Sequence, residues 1–126
     1  MKHFLVLSIL TFFFSSFKVK TGIDEVVAAM RSGNSTLIAK YFDDRVDISM
    51  PDKSNSYSKS QAELVLKDFF SNNPVKNFEI IHKGENAGSQ FCIGTLNTKN
   101  GSFRTTIFMK QKGGGQLLQE LRFENR

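Results

Sequence analysis

Four side chains of this 126-residue chain have the chemistry to act in a pocket: His82, Asp47, Tyr41 and Arg104. His82 is the ionisable group best suited to proton transfer near neutral pH. In Phe78-Glu79-Ile80-Ile81-His82 a period of two places it on one strand face with Phe78 and Ile80, among apolar neighbours. A histidine in that setting usually bonds a carbonyl or hydroxyl and serves the structure. Asp47 lies in Val46-Asp47-Ile48-Ser49-Met50, where alternation turns it away from the apolar face. His82 and Asp47 are the candidates for acid–base catalysis, and the structural reading is favoured for both. Tyr41 belongs to the apolar side of a short helix, and Arg104 could meet an anionic group at a pocket mouth. With Phe78 as a wall, Tyr41, His82 and Arg104 form the candidate ligand-binding set.

Other chemistries lack their parts. Cys92 is the single cysteine, so no internal disulfide forms, and in Phe91-Cys92-Ile93 it reads as a small buried hydrophobe. Two histidines, one near the N-terminus, and one cysteine make no transition-metal set, so neither a metal nor another cofactor is expected. Gly113-Gly114-Gly115 lacks the Lys-Ser/Thr of a phosphate loop and reads as a turn. The net charge of +5 suggests a nucleic acid, but the distribution opposes it. Lys2, Lys18 and Lys20 lie ahead of Gly22, which leaves 14 basic against 12 acidic residues, interspersed rather than striped. No nucleic-acid partner is expected.

Residues 1–20 read as a signal peptide or N-terminal anchor, with an apolar run from Phe4 to Phe14 after a short polar start. This run is short for a bilayer span. The expectation is an exported protein, periplasmic or envelope-associated, whose membrane contact is limited to that segment.

Residues 21–126 read as one domain. Ser58 and Gln61 have capping-box spacing, and Ala62, Val65, Leu66, Phe69 and Phe70 then recur along one side of a helix that Pro74 follows. Two short helices precede it: Ile23, Val26, Val27 and Met30 up to Gly33, then Leu37, Ile38, Tyr41 and Phe42. Val46, Ile48 and Met50 mark a strand, and Tyr57 closes a short hairpin. After Pro74 come strands at Phe78–Lys83, Phe91–Thr98 and Phe103–Lys110, with turns at Gly84–Gly88, Asn100-Gly101 and Gly113–Gly115. A last strand is expected to present Leu117, Gln119, Leu121 and Phe123 on one face. The fold class is α+β: N-terminal helices packed against a strongly curved antiparallel sheet.

That element order resembles the NTF2-like (cystatin-like, α+β cone) superfamily. Ile23 to Gly33, Tyr41-Phe42, Tyr57-Ser58-Lys59-Ser60-Gln61-Ala62, Phe69-Phe70, Pro74, Phe78, His82-Lys83-Gly84 and Ile93-Gly94 resemble DUF4783, a family of small exported Bacteroidetes proteins of unknown function. The resemblance implies a conical cavity, made greasy by many of the chain's 13 phenylalanines, but no activity. The expected role is to bind a small apolar ligand or a protein partner in or around the cone. The alternatives are a cavity enzyme of the ketosteroid-isomerase or polyketide-cyclase type using His82 or Asp47, and a homodimer module covering Phe108 and Leu118.

Overall fold

The computed structural model describes residues 21–126; the signal-peptide reading of residues 1–20 lies outside the described part. Helix α1 (Gly22–Arg31) starts at a capping box in which Thr21 and Asp24 bond each other's backbone N–H groups. It stops at Gly33, whose φ of +63° an L side chain rarely adopts, while Asn34 N–H bonds back to Ala29 O at 2.9 Å. Helix α2 (Ser35–Ala39) is capped by the Asn34 side chain. It is shorter than its apolar spacing suggests, because Tyr41 falls in a turn and Phe42 already begins β1 (Phe42–Met50). Strand β2 (Lys53–Ser58) returns antiparallel to β1.

Ser58 then caps α3 (Lys59–Asn72), with both reciprocal bonds of the Ser58–Gln61 box present. Ala62, Leu66, Phe69 and Phe70 are buried and Val65 is half-buried at the margin of that face. Ser58→Ala is expected to lower stability by about 1 kcal/mol, read as a shift in the urea midpoint. An unchanged midpoint would place the helix start elsewhere.

Strands β3 (Val75–Asn86), β4 (Ser89–Thr98), β5 (Gly101–Lys112) and β6 (Gly115–Asn125) form an antiparallel meander. The sheet order is β2-β1-β6-β5-β4-β3. Its one surprise is β1–β6, which pair in parallel. No crossover signature announces this, because the whole intervening chain is the connection. Gly84 continues β3, so the turn before β4 is only Ala87-Gly88, with Ala87 at φ +42°.

Helices α1, α2 and α3 cover one sheet face and enclose the core. Val26, Met30, Leu66, Ile107, Leu121 and Phe123 each have 0% exposure. The inside of the cone is therefore filled by side chains. Phe69 anchors this packing, stacked on Phe123 at 4.4 Å and edge-on to Phe103 at 5.2 Å.

Two bulges alter the expected faces. In β3, Ile80 pairs with Gly94 but His82 pairs with Ile93, so Ile81 is an extra residue. In β6, Leu118 pairs with Met109 and Glu120 with Phe108, which leaves Gln119 as the extra residue. The buried β6 series is consequently Leu118, Leu121 and Phe123, and the expected Leu117/Gln119 phase is corrected. Leu118 points into the core, so it cannot be an outward dimer contact.

Candidate binding groove

The bulge at Ile81 decides what His82 can do. One extra residue reverses the alternation, so His82 stands exposed on the outer sheet face, its ring 5.4 Å from that of Phe91. Its expected place beside Phe78 and Ile80 is corrected on this ground. Lys83 takes the inner phase instead, opposite Cys92, and its Nζ meets Asp24 Oδ1 at 2.6 Å. Hydrogen bonds from Lys83 and Thr21 hold the Asp24 carboxyl below its ordinary pKa. This pair lies in a cleft of about 330 Å³ at the start of α1, where the two charges largely neutralise each other.

The remaining candidates lie apart. Asp47 is exposed on the outer face, opposite Ser56 and Glu120. Three strands separate β1 from β3, which puts Asp47 and His82 about 19 Å apart at ordinary strand spacing. Arg104 is exposed between Thr95 and Glu124 on the same outer face. Phe78 is buried, its ring lying over Gly94. Tyr41 is half-buried against the core, and burial together with a hydrogen bond to Glu25 raises its pKa. Tyr41, Phe78, His82 and Arg104 are thus not gathered into one pocket. Cys92 is fully buried and burial raises its pKa, which keeps the thiol neutral.

Sequence reasoning passed over one buried acid. Asp43, 6% exposed, accepts from Gln119 Nε2 at 3.0 Å, Asp44 N–H at 2.7 Å and Lys112 Nζ at 3.1 Å. It thereby ties the irregular start of β1 to the β6 bulge. These bonds, Gln119 first, lower its pKa from 3.8. A depressed folded-state pKa gives stability that is fully present above the unfolded value and lost as pH falls through the folded one. Asp43→Asn should therefore cost about 1–2 kcal/mol at pH 7. Its deficit should shrink below about pH 4, seen in urea unfolding across that range. An equal deficit at all pH values would deny the carboxylate this role.

Another concavity lies where the β1–β2 turn meets α3. Met50, Val65, Phe69 and Phe103 floor a cleft of about 370 Å³, and Asp52, Lys53, Asp68, Asn72 and Asn73 edge it. Pro51 ends β1 and throws the turn over the helix. Asn73 fixes the far end, since both its backbone N–H and its side-chain amide bond Phe69 O, at 2.9 and 3.0 Å. A second cleft, between β2 and the first turns of α3, is lined by Asn55, Ser56, Tyr57, Gln61, Leu64 and Val65. Leu64 is 66% exposed there. A signal for this site did exist in the sequence: Leu64 is an apolar residue off the apolar stripe of its helix. The arrangement suits binding, with an apolar floor for contact area and a rim of carboxylates, amides and the Lys53 ammonium for orientation.

Residues 23–124 match the profile of a family described as Domain of unknown function (DUF4783). The chain belongs to the DUF4783 family. It is similar to the crystal structure of a DUF4783 family protein from Bacteroides uniformis ATCC 8492, with 34% identity and a TM-score of 0.79 over 82% of this chain and 95% of that one. A DUF4783 family protein from Bacteroides ovatus ATCC 8483 gives 32% and 0.78, over 81% and 93%. An NTF2-like protein of unknown function from Cytophaga hutchinsonii ATCC 33406 aligns with a TM-score of 0.61 at 11% identity, over 87% and 94%. That likeness concerns the fold alone, and it shows this DUF4783 chain to have the NTF2-like architecture. None of the curated proteins matches the chain.

Proposed function

We propose that this DUF4783 protein is an exported, non-catalytic module that binds a small apolar molecule, or the apolar part of a protein partner, in the cleft between the β1–β2 turn and α3. One observation carries the reading. The cone interior is packed with side chains, whereas this rim cleft offers the half-buried Met50 and Val65, with the margins of the buried Phe69 and Phe103 between them, beneath carboxylates and amides. The outward placement of His82 and Asp47 favours binding over acid–base work inside the cone. Export rests on the apolar run in residues 1–20.

The test uses N-phenyl-1-naphthylamine, a neutral dye that fluoresces in apolar sites. The protein should bind it, and Val65→Trp, which fills the cleft, should weaken binding about tenfold. Ile81→Ser, on the far sheet edge, should leave binding unchanged. Equal affinity in the wild type and Val65→Trp, with the variant's fold verified by near-UV circular dichroism, overturns the reading.

A second reading has its own support. Phe91, Ile93 and Phe108 are partly exposed together on the outer face of β4 and β5, flanked by Arg104, Glu120, Arg122 and Glu124. An apolar strip bordered by both charge signs suits a self-complementary two-fold contact. Sedimentation would show a dimer that Phe108→Glu dissociates; a monomer at all concentrations dismisses it.

A further inference from the structure

The two clefts lie along α3 with Val65 lining both, and together their helix residues reach from Gln61 to Asn72. Those residues span three helical turns, about 17 Å. That is the length of about five residues of extended chain, longer than a compact small molecule needs. One wall is α3. The other is β2, which has β1 on one side and, among the described residues, no strand on the other. Among the described residues, its one carbonyl that accepts from a side chain is Ser56 O, bonded by Arg45 at 3.0 Å.

Resting on the binding reading above, we propose that the groove takes an extended peptide that adds itself to β2 as a further strand. Main-chain pairing along β2 would hold the peptide, and every second side chain would descend onto Leu64, Val65 and Tyr57. Lys53 and the polar side chains of β2 discourage indiscriminate pairing of this edge, so the groove floor supplies the selectivity. At the end beneath the β1–β2 turn, Asp52 and Asp68 face, among the described lining residues, a single cation, Lys53, and this acidic balance favours a lysine or arginine at that end of the peptide. The occupant is thus a peptide with apolar residues at period two and one basic end.

Panning a random dodecapeptide display library on the protein tests this. The enriched sequences should show that alternation and that basic end, and the synthetic peptides should displace N-phenyl-1-naphthylamine. Methylating alternate backbone amides, in both phases, should weaken binding about tenfold in one phase only. Asp68→Lys should weaken the basic-ended peptides comparably, while versions of those peptides with a neutral residue at that end should be indifferent to it. Peptides that displace the dye yet tolerate methylation in both phases overturn strand addition but keep the groove. Dye binding that depends on Val65, with no displacing peptide recovered, overturns the peptide occupant alone. Dye binding indifferent to Val65→Trp is the separate failure of the proposed function.

Discussion

Replacing Phe69 by Ala is expected to lower stability by about 3–5 kcal/mol, the largest effect of any single truncation considered. The side chain is 6% exposed and belongs to two structures at once. Its ring stacks on Phe123 of β6 at 4.4 Å and meets Phe103 of β5 edge-on at 5.2 Å, so it joins α3 to the centre of the sheet. Its truncation leaves a cavity between rigid elements that cannot close over it, which puts the cost near the top of the usual range. Urea unfolding measures it directly. A variant as stable as the wild type would mean that α3 is not the helix that holds the sheet. Because Phe69 also floors the groove, the same variant should bind the naphthylamine dye more weakly.

Gly94→Val is expected to cost about 3 kcal/mol, at the upper end of ordinary overpacking. A Cβ at Gly94 would stand 2.5 Å from Phe78 Cζ and 2.7 Å from the Glu79 carbonyl oxygen. The ring is buried and the oxygen belongs to the backbone of the paired strand, so neither can yield cheaply. Gly84 offers an internal control. Its Cβ would meet the Phe91 ring at 2.6 Å, but that ring lies on the outer face and is only partly buried, free to swing aside. Gly84→Val should cost about 1 kcal/mol or less, the size of an ordinary surface change. Comparable losses for the two variants would contradict the account of how aromatic rings cover the glycines of this curved sheet.

Local chemistry was legible and long-range pairing was not. The Ser58–Gln61 box, the turn at Gly33 and the stripe from Ala62 to Phe70 each depend on residues within a few positions, and the structure shows all three. The faces of His82 and Leu118 depend on bulges at Ile81 and Gln119, which exist only once a partner strand fixes the register. A period-two reading runs through a bulge without noticing it and misplaces the side chains on one side of it, those after Ile81 in β3 and those before Gln119 in β6. The parallel β1–β6 pair is invisible for a similar reason, since no local crossover links the two strands. The groove required knowing that the β1–β2 turn folds over α3, although Leu64 on the polar side of its helix was a local sign that this side meets something apolar. Nothing local marks Asp43 for burial, since its partners Gln119 and Lys112 come from the other end of the chain.

On the function proposed above, apolar ligands bind at the rim, over α3, and not inside the cone. Methyl-resolved NMR of the protein titrated with N-phenyl-1-naphthylamine tests it most directly, because the methyl groups of Met50, Val65 and Leu64 report on the groove while those of Ile107 and Leu121 report on the interior. Shifts concentrated at Met50, Val65 and Leu64, with Ile107 and Leu121 unmoved, are the predicted result. Shifts centred on Ile107 and Leu121, or on Ile93 of the outer face, would contradict it.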